Sequence, residues 1–465
     1  MADTLARRLA RFATSVTYES LPDEVQDRVK ARILHAFGTG LAAHESPQCQ
    51  REKALVIAQE GLAKGGATIL GDGARVTRVG AAFVNCAYMA HRNQHDSYRM
   101  LTHPGCQVVP AALSIAEGRG CSGREFIAAV TAGIEVITRL ASNPDYISAV
   151  QAHGFRSSPV FGIFGAATAA GKLLGLNGDQ MVSALALAAT FASGTVEGAR
   201  AGTGETSLQD PTATRNGVWA ALMASTGART AESALDGEAG FYYAFTGKRD
   251  WDFSSVTEGL GQRYELVYMT SKQWPMTGYI QTPIWLAISM AQEHNLRPEE
   301  VEQIRLEMYH LETTYPSPAF PNPATRGVMS TAFGVAMALK NRSYPQYGPA
   351  IGSLENRSQS PSQQQEDPVV SRLVERIELI GTKERPPYFP RMTVVLKDSR
   401  TFVGELNGRE VLRFRLKEEN SLMKLLAPGL AIPEGQFDQL VKAINSLEAE
   451  ANVDRLVALT IPPKR

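Results

Sequence analysis

Cysteine, net charge and long apolar runs are all scarce in this sequence, and each shortage removes a class of protein. Four cysteines, Cys49, Cys86, Cys106 and Cys121, stand among 465 residues. No two have the Cys-x-x-Cys spacing of a zinc or redox site, and so few thiols read as buried, unpaired groups in a reducing compartment. Lys plus Arg, at 47, balances Asp plus Glu, at 47. A nucleic-acid surface needs a local basic excess, and no basic run exceeds a few residues. No window approaches the roughly 18 apolar residues that a membrane span requires. The opening residues carry Arg7, Arg8 and Arg11 but no apolar core of a signal peptide. The expectation is a cytoplasmic protein with no nucleic-acid and no membrane partner.

What is present is globular: 44% hydrophobic and 20% charged residues. Single cores stop growing at roughly 250–300 residues, so the length implies two domains. Residues 22–41 place Val25, Val29, Ile33 and Phe37 four apart, an amphipathic helical stripe with Asp23 and Glu24 at its positive end. Residues 108–116, 123–140, 160–174, 179–191 and 216–225 are Ala- and Gly-rich, as central helices in close approach are.

The pattern changes near residue 265. Residues 301–309 and 373–379 read as strands, and 392–397 and 401–405 as a hairpin about Asp398-Ser399. Residues 283–294 and 325–339 read as helices, and 351–367 as a polar loop. Helical periodicity returns after residue 408, most clearly over 436–449. The spacing predicts a mainly α fold. Residues 1–265 and 408–465 form an all-helical domain, and residues 266–407 a smaller, inserted, lid-like α+β domain.

Two glycine patterns carry no nucleotide site. Gly165 to Lys172 is one residue too long for a phosphate loop and lacks the following Ser or Thr, and Gly202-Thr-Gly204 lacks a third glycine. The informative segment is 91–103, with His91, His95, His103, Asp96, Ser97, Tyr98 and two arginines leading into a central helix. His91 and His95 share helical spacing, but no third ligand is evident, so neither metal nor cofactor is expected.

The run Thr102-His103-Pro104-Gly105 with Val109-Pro110-Ala111 resembles the signature of the MmgE/PrpD family. Gly154-Phe155-Arg156-Ser157, Thr214-Arg215-Asn216-Gly217 and Ser271-Lys272-Gln273-Trp274-Pro275 agree with it in order. That family holds 2-methylcitrate dehydratases, cis-aconitate decarboxylases and iminodisuccinate epimerases. The resemblance implies a cofactor-free homodimer with a pocket between the helical and α+β parts, taking a small carboxylate-containing substrate. By residue, it implies that His103, Lys272, Asp96 and Tyr315 are catalytic, with Ser97 standing at the family's threonine. Asn93 stands where the family has Asp, Arg156 where it has His, and Thr206 near a second lysine.

The chemistry asked of such a site is proton transfer beside a carboxylate. Preplaced cations, here Lys272 and Arg156, stabilise the charge that builds. A histidine titrates near neutrality, which suits His103 as acid or base, and Asp96 is able to orient it or act as a second base. Ser97, Thr102 and Gln209 are candidate hydrogen-bond donors. The expectation is a lyase, a dehydratase or decarboxylase. The alternatives are an epimerase, or an inactive relative serving as a binding protein or scaffold.

Overall fold

Small side chains set the centre of this mainly α fold. The computed structural model describes residues 3–99, 102–201, 203–314, 330–347 and 367–463. Its helical part contains α1 (Asp23–Ala43), α2 (Arg78–His91), α3 (Pro104–Ala116), α4 (Gly123–Leu140), α5 (Ser157–Leu173), α6 (Gly178–Phe191) and α7 (Thr206–Ser225). Helix α5 packs on α3, α4, α6 and α7 and is buried from Ser157 to Gly171. Gly165 makes its crossing with α4 possible: a methyl there would collide with Ile137 and lie 2.6 Å from the Gly133 carbonyl oxygen. The stretch that mimics a phosphate loop is therefore interior helix. Its Lys172 donates to the Ala13 carbonyl at 2.9 Å, at the end of the helix Leu5–Ser15.

Helix starts follow local signals, with capping boxes at Ser122–Glu125 and Asn177–Gln180. Two features depart from the periodicity. Helix α7 begins ten residues before the expected 216, running through Pro211 because its buried face on α5 outweighs the lost backbone bond. A two-residue ladder, Ala67–Thr68 against Arg75–Val76, also interrupts the helical half.

The second part carries a four-stranded sheet of β1 (Val301–Tyr309), β2 (Ile377–Thr382), β3 (Arg391–Leu396) and β4 (Thr401–Glu405), in the order β2-β1-β3-β4. β1 runs parallel to β2, with Ile304 opposite Ile377, and antiparallel to β3. β3 and β4 form the expected hairpin, whose turn places Ser399 at φ 70°. Helices α8 (Gln281–Glu293) and α9 (Thr331–Asn341) pack together beside it. The expected strand over 373–379 is corrected at its start. Pro368–Glu375 is a helix, because Asp367 accepts the Val369 and Val370 N–H groups and Pro368 sits at its first position. The expected polar loop lies outside the described residues except for Asp367.

Apolar side chains fall into two main clusters. One runs from Leu5 to Met269 and takes up Phe414, Leu422, Met423, Leu426 and Phe437 near the C-terminus. The other runs from Trp274 to Leu396. Helix α10 (Leu416–Leu426) packs on α1. Lys272 lies in the chain between the two clusters. Among the described residues, no helix is long and apolar enough to cross a membrane.

Candidate active site

Helix α2 ends at His91, and the chain leaves it through Asn93 in a left-handed conformation, φ 55°. His91 and His95 therefore do not share a helical face, which removes the geometry that suggested a metal pair. Gln94, His95, Asp96 and Ser97 follow, all buried. Ser97 and Thr270 exchange backbone hydrogen bonds of 2.8 Å in each direction, and this bridge brings Lys272, two residues further on, to segment 93–103. Thr102 then pairs back to Tyr98, and its hydroxyl donates to the Tyr98 carbonyl at 3.0 Å. That hydroxyl, expected to meet substrate, holds the turn instead.

His103 is the N-cap of α3, with Pro104 at the first helical position. The Asp96 carboxylate accepts the Gly105 N–H at 2.9 Å and so caps the same helix. Any side chain at position 105 would collide with Asp96 Oδ2, which explains the glycine after His-Pro. Asp96 does orient His103, but through its main chain: His103 Nδ1 lies 2.9 Å from the Asp96 carbonyl oxygen and 3.2 Å from Ser97 Oγ. A carbonyl only accepts, so Nδ1 carries the proton and Nε2 keeps its lone pair. Burial pushes the His103 imidazolium well below the ordinary histidine range, and Lys272 and Arg156 push the same way. His103 is thus a neutral base whose Nε2 has no hydrogen-bond partner among the described residues.

Lys272 is 2% exposed, and its ammonium donates to Asn93 Oδ1 at 3.3 Å. Burial, with a smaller push from Arg156, brings its pKa down to about 7 against the opposing pull of Cys106, Asp96 and Asp210. Its hydrogen-bond partner is an amide rather than a carboxylate, and Asn93 is held in turn by Thr277 Oγ1 at 3.1 Å. A methyl on Gly278 would lie 3.6 Å from Lys272 Cε and 3.8 Å from Ser97 Oγ. The missing side chain at Gly278 leaves room for at least a methyl between these groups.

The remaining expected residues divide. Arg156 sits at the N-cap of α5, paired to Asp210 Oδ2 at 2.8 Å. Gln209 donates to the Thr195 carbonyl at 2.8 Å, next to Phe155, rather than into the His103 cluster. Thr206 is buried in the first turn of α7, and nothing among the described residues ties it to Lys272. Tyr315 lies outside the described residues.

Sequence reasoning missed Gln107 and Asp210 and weighed His95 only as a metal ligand. Gln107, one turn beyond His103, reaches the His103 carbonyl, Ser158 and Asp210. His95 is 4% exposed, its ring centre 3.8 Å from that of His103, and neither of its nitrogens has a hydrogen-bond partner among the described residues. Burial, then His103, Lys272 and Arg156, hold it neutral. A signal existed for Asp210, an acid followed by Pro211 a few residues ahead of the Ala-rich segment 216–225.

A buried, neutral imidazole beside a reluctant ammonium is suited to moving a proton next to an anionic group. Residues 7–254 match the MmgE/PrpD N-terminal domain. The chain is 26% identical over 287 residues to a cis-aconitate decarboxylase of Aspergillus terreus, covering 59% of this chain and 58% of that protein. It is 30% identical over 249 residues to the cis-aconitate decarboxylase of Homo sapiens, half of each chain. To that of Mus musculus it is 26% identical over 341 residues, 69% of this chain and 65% of the other. The chain thus spans less than two thirds of the length of these relatives. With more than half of its residues matched by the family's domain, the chain belongs to the MmgE/PrpD family.

Proposed function

We propose that this protein is a cofactor-independent lyase, a decarboxylase or dehydratase, acting on a small polycarboxylate. One observation carries the reading: His103 Nδ1 is tied to the Asp96 carbonyl, leaving Nε2 as a free base in a buried site shared with Lys272. In this mechanism Lys272, protonated, holds a substrate carboxylate. As a proton or CO2 leaves the adjacent carbon, negative charge spreads onto that carboxylate, and a preplaced ammonium in a buried site stabilises it. His103 Nε2 takes the proton in an elimination, and in a decarboxylation relays a proton from water to the carbanion that CO2 leaves behind. Such general acid–base help is worth about 10²–10⁴-fold. Arg156 is fixed by Asp210 and contributes a second positive field.

The test is turnover of cis-aconitate and saturated hydroxy-tricarboxylates in D2O, followed by NMR. A dehydratase forms an alkene from the hydroxy acid with loss of water, and a decarboxylase releases CO2 from cis-aconitate and leaves an alkene in the product. His103→Ala should mainly lower kcat, whereas Lys272→Ala should raise KM and lower kcat, because its contact exists in both ground and transition states. His103→Ala with full activity would remove the assignment of the base.

An epimerase is the second reading. Lys272, titrating at about 7, is able to serve as a second acid or base opposite His103. Deuterium exchange into substrate without alkene formation would select it. We also propose a homodimer, as the resemblance implies, with exposed Leu208 and Trp219 on α7 as its apolar contribution. A monomer in sedimentation at micromolar concentration would count against it.

A further inference from the structure

One tyrosine near this cluster holds an uncommon backbone and an idle hydroxyl. The loop between β2 and β3 contains Arg385-Pro386-Pro387-Tyr388-Phe389. Phe389 N–H closes a turn on the Pro386 carbonyl at 3.3 Å. Pro387 takes the position where proline presets φ, and Tyr388 takes the next one at φ 68°. That is the place a type II turn reserves for glycine. A bulky residue in the left-handed region persists only where its surroundings hold it there, and such residues cluster at functional sites. Here the surroundings do so on both sides. Tyr388 N–H donates to Glu312 Oε1 at 2.8 Å, and Gly408 N–H donates to the Tyr388 carbonyl at 2.9 Å.

The side chain so held is 5% exposed, and its hydroxyl has no hydrogen-bond partner among the described residues. Buried phenols are ordinarily paired. This one points at the hollow over Gly278: a methyl on Gly278 would lie 3.6 Å from Tyr388 Oη, the same distance as from Lys272 Cε. Three polar side chains, Lys272, Ser97 and Tyr388, therefore border a space that a residue larger than glycine would fill.

We propose that Tyr388 is a further catalytic residue, whose hydroxyl donates a hydrogen bond to the substrate oxygen that gathers negative charge, across the Gly278 hollow from Lys272. This rests on the polycarboxylate reading above and supplies it with a donor from the sheet-bearing part of the molecule. Burial pushes the phenol above its ordinary range, so the group stays protonated and acts as a donor, leaving proton transfer to His103. Glu312 and Gly408 are positioning residues for it.

The experiment compares wild type with Tyr388→Phe and Gly278→Ala, using cis-aconitate for turnover and tricarballylate, which has no alkene to react, for binding. Tyr388→Phe keeps the ring and the turn and removes only the hydroxyl. Its kcat should fall roughly 10²-fold, as for loss of one preorganised donor, while tricarballylate affinity changes less than about threefold. Its Tm should equal or exceed that of wild type, since an unpaired buried hydroxyl is gone. A structural role would lower Tm together with kcat, and that result would overturn the proposal. So would a kcat within about twofold of wild type. Gly278→Ala should fold, with the nearest described atoms 3.6 Å from the added methyl, and lose tricarballylate binding. Unchanged binding there would place the ligand elsewhere and overturn the proposal too. Wild type that neither binds tricarballylate nor turns over cis-aconitate would sink the polycarboxylate reading itself, whereas binding and turnover with a fully active Tyr388→Phe sinks Tyr388 alone.

Discussion

Lys272 shows at the scale of one residue how burial becomes function. Its ammonium is protonated in water and reluctant in the protein, with a pKa of about 7. The proposed role needs the charged form, so kcat/KM should decline as pH rises through about 7. The kcat limb should lie higher, because a bound carboxylate favours the ammonium. His103, held well below the ordinary histidine range, adds no limb near neutrality. A flat kcat/KM between pH 6 and 9 would contradict this assignment. The same shift acts on stability with a definite sign. Between about pH 7 and the ordinary lysine value of 10.5, the unfolded chain binds a proton that the folded one does not. The cost of burying the ammonium is present in full below about pH 7 and is relieved as pH rises toward 10.5. Lys272→Met should therefore raise Tm at neutral pH, and the gain should shrink at higher pH. Thermal melts of both proteins at pH 7 and pH 9.5 check it.

At the scale of elements, the site hangs on the start of α3. That end leaves backbone N–H groups without helical partners, and one of them, Gly105, is taken by the Asp96 carboxylate. The same Asp96 presents its carbonyl to His103, so helix capping and base orientation are one device. Gly105→Ala should displace Asp96, since the added carbon collides with Oδ2. Overpacking of this kind costs about 1–3 kcal/mol. The expected result is a lower Tm together with a loss of kcat, and altered His103 ring signals by NMR as its carbonyl partner and burial change. Unaltered His103 shifts in Gly105→Ala would refute the coupling.

Across the whole molecule, a buried charge network ties both ends of the chain to the site. Arg32 on α1 reaches Glu419 on α10 at 2.8 Å, and His35 Nδ1 meets the other carboxylate oxygen at 3.0 Å. His35 Nε2 lies 2.6 Å from the Gln94 carbonyl, and Ser271 also donates to Glu419. Gln94 and Ser271 flank, in sequence, the two segments that supply Asp96, His103 and Lys272. Glu419 is fully buried and held below the ordinary carboxylate range by His35 and Arg32, which overcome its desolvation. Removing one partner of such a group strands the other charges. Glu419→Ala should cost about 3–5 kcal/mol. Denaturant melts check it, and a loss below 1 kcal/mol would show that water or rearrangement repairs the network.

Much of this was legible in the chain. Periodicity and small-residue composition located α1 and α3–α6 and the β3–β4 hairpin, because burial of one face imposes its spacing directly on the sequence. The run from His91 to His103, and the resemblance it carries, pointed to His103 and Lys272. Tertiary contacts decided what local pattern does not encode. They carried α7 through Pro211, since packing against α5 outweighs a local breaker. They used the Thr102 hydroxyl in a turn, tied Gln209 to Thr195, and gave the orientation of His103 to a main-chain carbonyl, a group every residue has. They also set His95 against His103 and brought Tyr388 to Gly278, although 110 positions separate that tyrosine from the glycine. Side-chain type and spacing report what a segment buries. Which polar groups border one buried hollow depends on how distant segments meet, and only the folded chain decides it.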